Sequence, residues 1–356
     1  MLDDQTILRQ RGAKAALHHI ATLWKQTTLP TEVANQLSHI SPQHDIHNVV
    51  IMATDGGAVL AHVAQQLMQP HMTTPVLCRE AAAVPPFVSA HSLVIIIEAD
   101  ISPYQVKNIL RYTQQHSASA ALLTHGAAAA EYTTAYPAAT IMPIAHREGQ
   151  MERQRILTTL GGLLAAYHLL DSDVVDAIAH SGAHVSDALQ QWGSTVPTAH
   201  NLSKQLARQA VGKTAVFCGS EALAPVAQWW QWCWQERAHN VAFSTTLTEA
   251  EHAGAHGWLS HPVDKPFALF DLVGENDSST QQRMAALDRR LSGRRPHAKS
   301  ILLAGETEVE QVLHGMILAE FASCYLGVLN GVKQGKGQYI LKCQTSYSQN
   351  SIFRVE

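Results

Sequence analysis

The stretch His47-Asn48-Val49-Val50-Ile51-Met52-Ala53-Thr54-Asp55-Gly56-Gly57, running on into Ala58–Met68, decides the fold. Its β-branched run has the composition of a short buried strand, and beyond the Thr-Asp-Gly-Gly turn apolar residues recur at helical spacing. Strand, glycine turn and helix are the opening of a βα unit. Outward from it, Leu93–Ile97 is apolar at every position, as a central strand covered by helices on both faces must be. Ser102-Pro103 then starts a helix reaching about Gln115, with proline at the first helical position. Ala120–Thr124 and Thr140–Pro143 read as two further strands, so four strands alternate with helices in a doubly wound parallel sheet.

The opening motif recurs. Gly56-Gly57-Ala58-Val59-Leu60-Ala61-His62-Val63-Ala64-Gln65 is echoed by Gly219-Ser220-Glu221-Ala222-Leu223-Ala224-Pro225-Val226-Ala227-Gln228, again after an apolar strand, Ala215–Cys218. One period spans a whole domain, which predicts two copies of one fold. Before the first copy, Ile7, Leu8, Ala15, Leu17, Ile20, Leu23 and Trp24 have helical spacing as far as Leu29-Pro30. Between the copies, Met151–Leu170 and Asp171–Gln191 read as two linking helices, and Glu308 to about Asn330 closes the second copy with a helix. The expected order is a helical segment over 1–40, a first α/β domain over 41–150, linking helices over 151–194, a second α/β domain over 195–332 and a polar tail over 333–356. Within that tail, Gln338–Leu341 is the one candidate strand.

Composition narrows the function. Twenty-five basic against 29 acidic residues give a net charge of −4 without a long run of either sign, which argues against a nucleic-acid or anionic-membrane partner. The longest uninterrupted apolar stretch lies around Leu93–Ile97, and Leu2-Asp3-Asp4-Gln5 does not resemble a signal peptide, so a soluble, cytoplasmic protein is expected. The five cysteines are scattered without a C-x-x-C pair, as buried thiols would be. No cofactor motif is present. His252, His256 and His261, with Glu249 or Glu251, are the one histidine cluster with metal-like spacing, but Gly254 and Gly257 interrupt the helix that would align them, and no metal is expected.

Lys204-Gln205-Leu206-Ala207, Gly219-Ser220, Leu223-Ala224-Pro225-Val226-Ala227, Trp230, Glu236, Ala242-Phe243, Glu249, His252 and Gly257-Trp258 together resemble the second half of the bifunctional phosphoglucose/phosphomannose isomerases. The resemblance continues through Glu320–Leu326 and loosely covers residues 45–332. It implies two sugar-isomerase (SIS) domains, a homodimer whose cleft lies at the subunit boundary, and a sugar or sugar phosphate as ligand.

Carried over position by position, the resemblance also implies a divergent member. The family's GMGGS turn, whose serine holds phosphate, corresponds to Ala53–Gly57, with Gly57 at the serine. Its SYSGNTEET loop corresponds to Glu98-Ala99-Asp100-Ile101-Ser102-Pro103-Tyr104. A carboxylate about 4 Å from a phosphate charge is unfavourable by about 4 kcal/mol at an effective dielectric near 20. Glu98 and Asp100 therefore either repel phosphate or turn away, to solvent or to cap the following helix. The family's NHNE motif falls on Glu251-His252-Ala253-Gly254, which places Gly254 where the base stands and leaves His252, Glu249 and Glu251 as catalytic candidates. Gly56, Gly57, Glu98, Asp100, Ser102, Arg155, Gly219 and Ser220 are the expected ligand-binding positions, Arg155 being chosen over Arg153.

Three readings follow: a sugar-derivative-binding or regulatory protein with little or no isomerase activity, an active aldose–ketose isomerase using relocated residues, and a histidine-based metal enzyme. Trp229, Trp230, Trp232 and Trp234 spread too widely around one helix for a single face, which fits either a packed domain or subunit contact or a stacking platform for a sugar ring.

Overall fold

The computed structural model describes residues 1–99, 101–144, 146–147, 150–259 and 266–334. The first domain holds β1 (Asn48–Ala53), β2 (Val76–Glu80), β3 (Ser92–Ile97), β4 (Ser119–His125) and β5 (Thr140–Ile144), all parallel, in the order β2-β1-β3-β4-β5. A two-residue antiparallel ladder, β6 (His146–Arg147) with β7 (Gln150–Met151), follows it. The second domain holds β8 (Thr214–Gly219), β9 (Ala242–Thr246), β10 (Phe267–Gly274) and β11 (Lys299–Leu303), parallel in the order β11-β10-β8-β9. Counted from each domain's own first strand, both sheets run second, first, third, fourth, so the doubly wound topology occurs twice.

The duplication has a different register from the one in the letters. β1 ends at Ala53 and β8 at Gly219, so Gly219 answers structurally to Ala53 and not to Gly56. The helix after β1 starts at Asp55, whereas four residues separate β8 from the helix Ala224–Ala238.

β2 is a fifth strand where four were expected. It is the edge of its sheet and largely exposed, so Val76-Leu77-Cys78-Arg79-Glu80 lacks the continuous apolar run of β1 and β3. In β1 and β3, alternate residues serve two cores. Val49, Ile51, Leu93, Ile95 and Ile97 join the large core shared with the second domain, while Val50, Met52, Val94 and Ile96 pack under the helices of the outer face.

The shared core is built around the helix Glu308–Leu329, which packs on the helices Ala224–Ala238, Leu202–Ala210, Ser172–Trp192 and Ala13–Ile20. Among the described residues this is the one helix whose mean hydropathy over 18 residues is high. It has the length and composition to cross a bilayer but is enclosed by protein along nearly its whole length. The N-terminal segment is four short pieces, Gln5–Gln10, Ala13–Ile20, Leu23–Thr27 and Thr31–Ser38, broken where Gly12 adopts φ +71°. The linking helices are Arg153–Ala166 and Ser172–Trp192. Gln334, at the start of the tail, is buried and ties Arg11 to Arg237 through the chain, while the candidate strand Gln338–Leu341 lies outside the described residues.

Candidate functional site

In a sheet of order 2-1-3-4-5 the winding reverses between β1 and β3, and ligands of such folds bind beyond the carboxyl ends of those two strands. The turns that meet there are Thr54–Gly57 after β1 and Glu98 onward after β3. Gly57 lies against the end of β3: a Cβ built on it would stand 3.4 Å from Ile97 and 3.5 Å from Ala99. The predicted turns do come together, but what fills the space in front of them comes from the second domain.

Asp55 opens the helix Asp55–Met68 in the left-handed region at φ +46°, and its Oδ2 accepts a hydrogen bond of 3.0 Å from the indole Nε1 of Trp232. A Cβ on Gly56 would lie 2.8 Å from the same indole ring, so the glycine is what lets the tryptophan seat on the helix start. On the ring's other contacts, the Arg153 guanidinium stacks 4.2 Å from the Trp232 centroid. Arg153 in turn pairs with Glu320 at 3.5 Å, and Glu320 also accepts a hydrogen bond from Arg237 inside the core. Burial holds the neighbouring Glu236 carboxyl above its ordinary range, against the field of Arg153. The amide-rich end that would attract an anion is thus occupied by an indole and a carboxylate.

The arginine beside this turn is Arg153, not Arg155. Arg155 is held in the linker, donating to the Thr28 carbonyl and, at 3.1 Å, to Glu152. It borders a separate hollow of about 620 Å3 at the ends of β4 and β5, with His125, Gly126 and Glu152 on its walls.

Glu98 takes neither of the expected courses. Its carboxylate turns into the domain, where it accepts hydrogen bonds from the Thr124 hydroxyl and, at 2.9 Å, from the Tyr132 hydroxyl. Burial, then the bond to Glu98, pushes the Tyr132 hydroxyl well above its usual range. Asp100 lies outside the described residues. Ser102 caps the helix Pro103–Gln115, its hydroxyl accepting from Gln105 N–H at 3.3 Å in a reciprocal box with the Gln105 side chain.

The catalytic candidates lie in the second domain. Glu249 is the reciprocal partner of Thr246 in the cap of the helix Leu247–Glu251, and the Thr246 backbone N–H, with the Thr245 and Thr246 hydroxyls, holds its carboxyl below the ordinary range. Glu251 is clamped by Arg283 through two bonds of 3.2 and 2.6 Å, which lower its pKa as well. Both carboxylates are therefore weaker bases than a free glutamate. His252 is exposed at the end of that helix, and Gly254 lies in the first turn of the next, Ala253–Leu259. His261 lies outside the described residues, and among the described residues no three His, Cys, Asp or Glu side chains converge as metal ligands. Gly219 and Ser220 occupy the turn after β8, beside a hollow of about 460 Å3 between the helices Asp55–Met68 and Ala224–Ala238 that His62, Gln66 and Glu221 line.

The predicted positions thus fall in separate places: the β1–β3 turns, the linker, the β8 turn and the Leu247–Glu251 helix. Asp55, Trp232, Arg153 and Glu320, which form the contact at the first of these, were not among them. The tryptophan row was the available signal. Trp229, Trp230 and Trp234 are fully buried, Trp230 and Trp234 packing on Phe217 of β8, which leaves Trp232 to bridge the domains.

Comparison with known proteins agrees with this architecture. Residues 199–344 match the family model described as the bacterial phospho-glucose isomerase C-terminal SIS domain. No curated protein matches the chain in sequence. Among solved structures, a putative phosphosugar isomerase from Bacillus subtilis is 15% identical with a TM-score of 0.67, covering 89% of this chain and 98% of its own. Tagatose-6-phosphate ketose/aldose isomerase from Escherichia coli is 14% identical with a TM-score of 0.65, covering 89% and 92%. The C-terminal domain of glucosamine-fructose-6-phosphate aminotransferase from Francisella tularensis is 14% identical with a TM-score of 0.63, covering 92% and 97%. Two parallel α/β sheets of one winding, a SIS match in the second half and whole-chain likeness to these structures give this protein the fold of a double-SIS, phosphosugar-isomerase-like chain.

Proposed function

We propose that this protein is a sugar-derivative-binding or regulatory protein of carbohydrate metabolism, with little or no aldose–ketose isomerase activity of its own. The observation that carries this reading is the seating of Trp232 and Asp55 at the start of the helix Asp55–Met68, where a phosphate would otherwise meet free backbone amides. The commitment of Glu249 to a helix cap and of Glu251 to Arg283 supports it, since neither carboxylate is free to shuttle a proton between two sugar carbons. A cytoplasmic location and a homodimer belong to the same proposal, and the homodimer rests on the resemblance described above.

The test is a coupled assay with glucose 6-phosphate, mannose 6-phosphate and fructose 6-phosphate on the full chain, with sedimentation to read the oligomeric state. Turnover below about 1 per second for all three is expected; turnover within the usual enzyme range of about 1–1000 per second overturns the reading.

A further inference from the structure

The strand register of the second domain sets three polar side chains in one row. Cys218 of β8 is paired with Thr245 of β9 on one side and with Asp271 of β10 on the other, so the three share a face of the sheet. In Phe267-Ala268-Leu269-Phe270-Asp271-Leu272-Val273-Gly274, Asp271 is the one break in an otherwise apolar strand. The face is roofed by the helices Leu247–Glu251 and Ala253–Leu259 and flanked by the segment that carries Arg295. Between them lies a cavity of about 190 Å3, walled by Cys218, Thr245, Gly254, Trp258, Asp271 and Arg295.

Two of these groups lack what buried polar groups ordinarily have. The Arg295 side chain is only 6% exposed, and its Nε and Nη2 make no hydrogen bond; Nη2 has only a 3.5 Å ion contact with Asp288. Asp271 is likewise 6% exposed and, among the described residues, accepts no hydrogen bond. Burial pushes its carboxyl up to about 6 even though the Arg295 charge works the other way. Native interiors rarely leave such donors and acceptors unmatched, and water, an ion or a bound molecule can then supply the partner.

The chemistry of that molecule follows from the walls. Asp271 takes hydrogen bonds from hydroxyl donors. One arginine is faced by the two carboxylates Asp271 and Asp288, so a phosphate dianion is disfavoured by charge. The volume is that of about six liquid waters, space for one small ring or open-chain polyol and no more. The Trp258 ring supplies an apolar wall of the kind that takes the C–H face of a sugar.

We propose that this cavity binds a single non-phosphorylated monosaccharide or polyol, with the Asp271 carboxylate accepting hydrogen bonds from its hydroxyl groups. The proposal rests on the sugar-binding reading above and assigns it a place on the sheet face beneath the helix that carries Gly254.

The experiment titrates the full chain with glucose, fructose, mannose and sorbitol, and with the three hexose 6-phosphates, by calorimetry and thermal shift. At least one unphosphorylated probe is expected to bind and raise the melting temperature, with its 6-phosphate at least about tenfold weaker. Asp271→Asn, which removes a buried carboxylate that accepts no hydrogen bond, is expected to fold and to weaken binding at least about tenfold. Val216→Phe, whose ring fills the cavity from β8, is expected to abolish binding. Unchanged affinity in both variants places the sugar elsewhere and overturns this proposal while leaving the proposed function standing. Tighter binding of a 6-phosphate than of its free sugar, lost in the same variants, overturns the ligand assignment. No binding of any probe overturns both, the cavity then holding water only.

Discussion

Trp232 donates its indole N–H to the Asp55 carboxylate at 3.0 Å, joining the helix of the second domain to the first turn of the helix that follows β1. The contact depends on Gly56, and it separates two adjacent glycines that look interchangeable. A Cβ on Gly56 meets Trp232 ring atoms at 2.8 and 2.9 Å, whereas one on Gly57 meets Ile97, Ala53 and Ala99 at ordinary distances of 3.4–3.5 Å.

Gly56→Ala is therefore expected to destabilise the protein by about 1–3 kcal/mol through overpacking. Gly57→Ala should be neutral or stabilising by up to about 1 kcal/mol, because both positions are helical and alanine is the better helix former. Urea unfolding of the two variants checks the contrast, and equal effects would deny that Trp232 sits where described.

Asp55→Ala and Trp232→Phe should couple. A double-mutant cycle is expected to give an interaction energy of about 1 kcal/mol, since the hydrogen bond runs to a charged acceptor near the surface. A coupling of zero would mean that the pair is adjacent without being bonded in solution.

Glu98 is a structural acceptor for Thr124 and Tyr132. Replacing it by serine leaves a partly buried tyrosine hydroxyl without its partner, and a loss of about 1–3 kcal/mol is expected in chemical unfolding. Tyr132→Phe made together with Glu98→Ser should cost little more than Glu98→Ser alone.

Two buried groups give stability opposite dependences on pH. Burial raises the Asp271 carboxyl from 3.8 to about 6, so the folded chain holds that proton more tightly than the unfolded chain; the contribution is present at low pH and is lost as pH rises through about 6. Asp271→Asn should stabilise at neutral pH by about 1–3 kcal/mol, with no gain near pH 4. His314, buried edge-on against Trp192 at 5.0 Å, is lowered from 6.5 to about 4 by desolvation, so its contribution is present above pH 6.5 and is lost as pH falls through about 4. His314→Leu should flatten the acid limb. Unfolding free energies measured from neutral pH to about pH 4 separate the two slopes.

Glu320 lies 1% exposed between Arg153 and Arg237. Glu320→Gln leaves two guanidinium groups without their counter-charge in the core, and a loss of about 3–5 kcal/mol is expected. A loss below about 1 kcal/mol in thermal unfolding would show that water reaches the pair.

The alternation of strand and helix in the first domain was legible in the sequence because it depends on local terms, whereas in the second domain only β8 was read as a strand. β1 and β3 announce themselves by β-branched runs that are apolar on both faces, Ser102-Pro103 marks a helix start, and Val309, Val312, Leu313, Ile317, Phe321 and Tyr325 give Glu308–Leu329 a helical apolar stripe. β2 was not legible, since an edge strand with one wet face carries a weak pattern. The site depended on pairings between residues far apart in the chain. Nothing local says that Trp232 bonds Asp55, 177 positions away, that Glu98 turns to Tyr132, or that Cys218, Thr245 and Asp271 fall in one row with Arg295 above them. Periodicity and capping act over a few residues and so belong to the sequence alone, whereas side-chain partners, burial and the pKa shifts that burial causes exist only once the two sheets have packed together.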